Sequence, residues 1–525
     1  MAESKCFAFV FGMASGHINP SLPLARRLVS QGHQVHYLSR EQMRPAIEDT
    51  GATFWNELEE ESELYDGREQ DLMGAMSSLK KEMGIESDPM LVSFMKLAPV
   101  SLELQLPGCI RWLQKIDPNA VVYCPLLNQD AGFAADLLQL PSVALLTTAG
   151  PGSMAAAMQF FLAGQTPEEV IEAAKDYEPM MQSVRNLKEK FNIDYEHLAP
   201  LQIPGYMPVL TKADLVLMTT TEDLQDPASP ELLDMYRKAY VHFLGVGPLL
   251  DQTGALRAAG HKFETGSHGS SKMDVLEKVQ EAKQAGRSVV YASMGTVLTG
   301  DSPDFGWTVK PQGPAGRKGL TGKELCQSAF AAVFDAFGET NFQTGPAPLI
   351  VLATGPQPDA LEGLEVPSNA LCVPEVPQVD LLRSGVDLFM THFGQNSFME
   401  SLAEAVPMVG CPGFADQPAN AQKAQAMGLA LQVDRPVPED GEEPTAMQQY
   451  RKEVSEALQR VFQEPSFRLR AREVSRGIQE AGGVPRATQI LLEVTTKLKK
   501  QPNLLTSKVE VGQMEKLSGA VPVMS

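Results

Sequence analysis

Residues 377–420 read PQVDLLRSGVDLFMTHFGQNSFMESLAEAVPMVGCPGFADQPAN. An apolar run, Val386–Met390, leads into Thr391-His392-Phe393-Gly394-Gln395-Asn396-Ser397. A helix-like run to about Ala405 follows, then a second apolar run, Met408–Cys411, and then Asp416-Gln417. Two short apolar runs around a helical stretch make a strand–turn–helix–strand unit, the building block of a parallel sheet. Ligands of such a sheet sit outside the carboxyl ends of its strands. The residues after Met390 are therefore placed to hold one.

The turn has the chemistry of a phosphate site. Gly394 allows close approach of the backbone. The N–H groups and dipole of a helix N-terminus favour an anion, and His392 can donate to a phosphate oxygen. Glu400 lies four residues past Asn396 and three past Ser397, so the three share a helix face. A carboxylate there can accept both hydroxyls of a ribose. Asp416 and Gln417 offer two acceptors and a donor, suited to vicinal sugar hydroxyls. Each residue also has a plainer reading: Asn396 or Ser397 is a fair N-cap, and Glu400 fits a capping box.

The rest of the chain supplies more such units. Cys6–Phe11, the helix Leu22–Ser30 and a strand at Gln34–Leu38 open a βαβ pattern. Ala120–Tyr123, the helix Asp130–Leu138 and Val143–Thr147 continue it, with later strands at Leu215–Thr219 and Val241–Leu244. The domain so built runs over 1–248. Residues 249–287 are a linker, polar at Gly266–Ser271, with an entry helix at Met273–Ala285. Ser288–Ser293 opens a second domain, 288–484, with strands at Leu349–Thr354 and Asn369–Val373 and helices at Ala446–Gln463 and Ser466–Glu480. Residues 501–525 read as a loose tail. Gly300–Lys323, with three Pro and six Gly, reads as a surface insertion or a lid.

At 525 residues the chain is long enough for two cores. Its net charge of −21 argues against nucleic acid or an anionic membrane surface as partner. No apolar run reaches the 18 residues of a membrane span. Its six cysteines are scattered without a Cys-x-x-Cys pair, which fits a reducing, cytoplasmic compartment and gives no disulfide framework or zinc site.

Taken together, Pro377-Gln378, His392-x-Gly394-x-Asn396-Ser397-x-x-Glu400 and Pro412-x-x-x-Asp416-Gln417 resemble the donor signature of UDP-dependent glycosyltransferases of the GT-B fold. That family holds plant secondary-metabolite, macrolide and sterol glycosyltransferases. The resemblance implies an α/β GT-B architecture, two doubly wound Rossmann-like domains facing across a cleft. It implies that His392, Gly394, Asn396 and Ser397 contact the diphosphate and that Glu400 holds the ribose. Asp416 and Gln417 would then hold the sugar, with Gln378 near the base. Met294-Gly295-Thr296 resembles the family's second phosphate-side turn, and Pro485–Lys499 its last helix, which crosses back onto the first domain over 485–500.

The family's general base is a His after the first strand, often in Gly-His-x-x-Pro. Here Gly16-His17-Ile18-Asn19-Pro20 carries over to His17. An imidazole suits the task, because a hydroxyl nucleophile must lose its proton as the bond to the anomeric carbon forms. Two positions depart from the pattern. The Asp that orients the base is Cys124 here, so Asp130, opening the next helix, is the candidate to take over. The aromatic residue that stacks on uracil is Glu375, which leaves the base open. Met73, Met76, Met83, Met90, Met95, Met154, Met158, Phe160, Phe161, Met180 and Met181 lie where the family builds its acceptor pocket, or else pack an ordinary core.

The expected activity is inverting transfer of a hexose from a UDP-sugar to a hydroxyl of a small lipophilic acceptor. No cofactor or metal is expected, since the chain lacks the Asp-x-Asp pair of metal-dependent glycosyltransferases. The alternative is a weak or inactive nucleotide-sugar-binding protein. A nucleotide-sugar epimerase gives no role to an acceptor pocket. A NAD-dependent oxidoreductase lacks its Gly-x-Gly-x-x-Gly spacing at Gly12 and Gly16.

Overall fold

A computed structural model describes residues 3–258, 272–311, 319–339, 342 and 345–496. The Gly266–Ser271 stretch and the tail from 501 lie outside them. The first sheet holds β1 (Cys6–Val10), β2 (Gln34–Ser39), β3 (Thr53–Asn56), β4 (Ala120–Tyr123), β5 (Ser142–Leu146), β6 (Leu215–Met218) and β7 (Phe243–Gly245). The second holds β8 (Val289–Ser293), β9 (Leu349–Ala353), β10 (Ala370–Val373), β11 (Leu388–Thr391), β12 (Met408–Gly410) and β13 (Ala430–Gln432).

Every strand pair is parallel, and the orders are β3-β2-β1-β4-β5-β6-β7 and β10-β9-β8-β11-β12-β13. Central strands such as β4 and β5 are buried at every residue. Helices must therefore cover both faces, which is why these strands read as unbroken apolar runs. Each sheet has an apolar cluster on either face. Val121, Tyr123 and Trp112 lie on one side of the first sheet, and Phe9, Val122 and Leu145 on the other.

Both sheets reverse their strand order next to their first strand, between β1 and β4 and between β8 and β11. A doubly wound sheet opens a crevice at such a switch point. The turn carrying His17 follows β1. The turns carrying Gly295 and His392 follow β8 and β11. The architecture is thus the expected pair of doubly wound Rossmann-like domains.

The helix Gly483–Val494 leaves the second half and packs Ala487, Leu491 and Val494 into the cluster that holds Leu22, Leu24 and Leu28. It starts two residues before the expected Pro485 and is described to Val494, with residues from 497 outside the described part. A long helix, Met90–Ile116, runs through Pro99 and Pro107. The six cysteines are free. No helix among the described residues is long and apolar enough to cross a membrane.

Candidate active site between the two sheets

The second-half turn is built around His392. The helix after β11 runs Gln395–Ala403, and its N-cap is Gly394, not Asn396 or Ser397. The first intrahelical bond is from Phe398 N to the Gly394 carbonyl (3.1 Å). The N–H groups of Gln395, Asn396 and Ser397 thus precede the ladder, where an anion is stabilised.

Gly394 and Gly295 both make room for the His392 imidazole. A Cβ on Gly394 would lie 2.6 Å from Nε2, and one on Gly295, at φ +75°, 2.5 Å from the same ring. The ring is thus held between the turns of β8 and β11. Burial lowers its pKa to about 4, against a smaller opposing pull from the Ser293 backbone. His392 is then neutral at ordinary pH and offers an N–H rather than a positive charge.

The side chains expected on phosphate and ribose form a network. Gln378 accepts from the Tyr291 hydroxyl (2.8 Å) and donates to Ser397 Oγ (3.1 Å) and Glu400 Oε2 (2.7 Å). Arg257, from the segment joining the two halves, donates to Glu400 Oε1 (2.7 Å). Both Glu400 oxygens are therefore engaged. Asn396 Nδ2 donates to the Gly16 carbonyl (2.7 Å), and Ser15 Oγ meets Thr296 Oγ1 (3.0 Å). Asn19 holds Ala258 at both its N–H (2.8 Å) and its carbonyl (3.0 Å). The pocket beneath is lined by Asn19, Leu250, Asp251, Arg257, Asn396 and Glu400, among others. Three contacts thus tie the His17 turn to the opposite half and to the linker.

At the loop expected to hold the sugar, Asp416 accepts from Asn420 Nδ2 (3.0 Å), and burial lifts its pKa to about 6. Gln417 is held by its side-chain carbonyl, which leaves its amide N–H groups as the donor. Its Oε1 accepts from the N–H groups of Gly413 (2.9 Å) and Phe414 (3.2 Å), which fixes the loop. Close by, Lys423 of the second half pairs with buried Asp226 of the first (2.6 Å).

His17 is half-buried. Its Nδ1 lies 3.0 Å from Thr147 Oγ1 and 3.3 Å from Cys124 Sγ. Cys124 thus occupies the orienting position, but burial pushes its thiol up to about 12, so it carries no charge. With no carboxylate beside it, burial lowers His17 to about 4. In the tautomer whose Nδ1–H is donated to Thr147, Nε2 carries the lone pair that a base uses. Nothing in the sequence singles out Arg257. Thr147 has one signal, its place at the carboxyl end of a central strand.

Asp130 does not stand in for the missing Asp. It is fully buried with Glu61 and Cys109, whose ligand atoms all lie within 4.8 Å of one another. Arg40, paired with Glu57 (3.0 Å), is the nearby cation. Burial, then neighbouring carboxylates, push Asp130 up to about 7 and Glu61 well above its ordinary range. The folded state keeps a proton that an unfolded Asp releases near pH 3.9. Stability therefore falls as pH rises from about 4 to about 7. Asp130→Asn flattens that slope in urea titrations run between these pH values, while any activity that depends on His17 is retained.

Of the methionines expected around an acceptor pocket, Met95, Met158 and Met180 are buried and the others partly or more exposed. Met95 and Met158 pack with Leu91, Leu162 and Val170, Met180 is fully buried, and Met73 is exposed. Phe160 and Phe161 instead approach Phe305 and Phe414 of the opposite half.

Comparison with known proteins agrees with this construction. A family model described as UDP-glucoronosyl and UDP-glucosyl transferase matches residues 340–476. The chain is 23% identical over 475 residues to NDP-glycosyltransferase YjiC of Bacillus licheniformis, spanning 90% of this chain and 93% of the relative. It is 30% identical over 204 residues to oleandomycin glycosyltransferase of Streptomyces antibioticus, 38% of this chain and 44% of that one. The solved structure of CalG4, the calicheamicin glycosyltransferase, matches with a TM-score of 0.59 at 18% identity, over 95% of this chain and 100% of the other. The chain thus has the GT-B fold, is similar over 90% of its length to an NDP-glycosyltransferase, and matches the UDP-glucoronosyl and UDP-glucosyl transferase model at residues 340–476.

Proposed function

We propose that the protein transfers a hexose from a UDP-sugar to a hydroxyl of a small lipophilic acceptor, with inversion and without a metal, and that His17 is the general base. The observation that carries this reading is the 2.7 Å bond from Asn396 to the Gly16 carbonyl, which sets the His17 turn against the phosphate turn. The acceptor hydroxyl gives its proton to Nε2 of His17 as its oxygen bonds to the anomeric carbon. The bond to the diphosphate breaks on the opposite face, and UDP leaves with the electron pair. The His392 N–H and the free N–H groups at 395–397 stabilise the departing charge. The lack of an Asp-x-Asp pair favours the metal-free route. The free cysteines favour the cytoplasm.

Cys124 favours a second reading, a nucleotide-sugar-binding protein with little turnover, because a neutral thiol does not stabilise an imidazolium. Thermal-shift screening of UDP-, TDP- and GDP-sugars tests the donor, since ligand binding to the native state raises the melting temperature. The screen also settles the base that Glu375 leaves open. Release of UDP in the presence of a phenol and macrolide panel tests the transfer. Binding without turnover selects the second reading, a response to TDP- or GDP-sugars alone overturns the UDP assignment, and no response to any nucleotide sugar refutes both.

The pH profile follows from His17. Its depressed pKa keeps the base form down to about pH 4, so the acid limb of kcat/KM falls near 4 rather than near the ordinary 6.5. Cys124→Asp puts a carboxylate beside Nδ1, which raises an imidazole pKa by about 1–3 units. The limb then moves toward neutrality and kcat rises about tenfold at pH 7.

A further inference from the structure

The loop after β8 is long and rich in glycine, yet its described part, 294–311 and 319–323, is firmly pinned. Trp307 is buried and donates its Nε1–H to Asp359 (2.9 Å). Its backbone N–H reaches Gly300 O (2.8 Å), and its carbonyl accepts from Lys323 N (2.7 Å). Phe305, two residues earlier, projects from this anchored turn. Its ring stacks on Phe414 at 4.6 Å and 8°, and lies 6.1 Å from both Phe160 and Phe161.

The rings come from three places that matter. Phe160 and Phe161 lie on the first-half helix Ser153–Leu162, which follows the strand that ends beside Thr147. Phe414 stands two residues before Asp416, and Gln417 fixes its backbone. Phe305 therefore closes the contact between the halves next to the loop that is read as holding the sugar. Aromatic rings of this size bury large apolar areas and exclude water.

We propose that Phe305 seals the sugar end of the cleft against water and so sets how the donor divides between transfer and hydrolysis. This rests on the proposed transferase reading. In the unwanted reaction the oxygen of water bonds to the anomeric carbon and the bond to the diphosphate oxygen breaks. UDP leaves with the electron pair, and the proton of water passes to His17 or to solvent. Phe305 is assigned no part in these bond changes. It acts by positioning the cover and the Phe414 loop.

The test uses the full chain as wild type, Phe305→Ala and Phe305→Tyr. UDP-glucose consumption is followed with and without 2-naphthol as acceptor, and hydrogen exchange of residues 153–162 is followed in the presence of UDP. Phe305→Ala raises the ratio of hydrolysis to transfer at least tenfold, keeps the Kd for UDP within twofold, and speeds exchange in the first-half helix. Phe305→Tyr, which keeps the ring, stays near wild type on all three. An unchanged ratio in an active enzyme overturns the proposal, as does a Tyr variant that behaves like the Ala variant. If wild type consumes no UDP-sugar, the transferase reading fails and exchange alone decides the seal. Unchanged exchange in Phe305→Ala then overturns it.

Discussion

His17→Ala lowers kcat for sugar transfer by about 10²- to 10⁴-fold, the usual worth of a positioned general base, and leaves the Kd for UDP within twofold. The two readouts separate because His17 and the donor turn sit on different sheets. His17 hangs from the turn after β1, held at Nδ1 by Thr147 and Cys124. The turns proposed to hold the donor follow β8 and β11 and are organised by His392, Gly295 and Gly394. Removing the imidazole of His17 leaves every contact of that second group in place. Turnover that survives the change removes His17 from the mechanism. A matching loss of UDP affinity would instead assign His17 to donor binding.

Gly295→Ala weakens UDP binding about 5- to 150-fold. The position is at φ +75°, and an added Cβ would stand 2.5 Å from the His392 ring. Strain of this kind costs about 1–3 kcal/mol, and each 1.4 kcal/mol is a factor of ten in Kd. Gly394→Ala separates the two causes. Its backbone, at φ −57° and ψ 143°, is open to any residue, but its Cβ would still meet Nε2 at 2.6 Å. If crowding of the imidazole is what matters, both variants lose UDP. If left-handed strain is what matters, only Gly295→Ala does. Calorimetric titration with UDP reads both, and an unchanged Kd in the pair removes His392 from the donor site.

Much of the fold is legible in the sequence because central parallel strands are buried on both faces and so appear as apolar runs. The edge strands β3 (TFWN) and β13 (ALQ) lack that signal, being short or partly exposed. Met90–Ile116 is hidden for another reason. Pro99 and Pro107 read as helix breaks, but the helix carries both, with Pro99 buried against its neighbours. At the site, residues fixed by strand ends are readable, whereas those that depend on side-chain direction are not. Asp130 follows Cys124 closely in sequence, yet the helix Gln129–Leu137 turns its carboxylate into the core, toward Glu61. Arg257 reaches Glu400 from a polar segment with no motif of its own. Phe305 sits among glycines and prolines that suggest a surface insertion or a lid but single out no residue within it.

The crossing of the last helix has a mechanical consequence. Among the described residues the chain passes between the halves twice, once after β7 and once at Ala481–Gly483. The two passages are stitched together, since Gly483 N donates to the Val246 carbonyl (2.8 Å). Two bodies joined at neighbouring points along one line keep a single easy rotation about that line and lose free sliding. Opening of the cleft is then a swing about that line. The same crossing makes the halves inseparable as expressed pieces. Cutting the chain before residue 483 strips Ala487, Leu491 and Val494 from the first half and exposes the apolar face of Leu22–Ser30 that they cover.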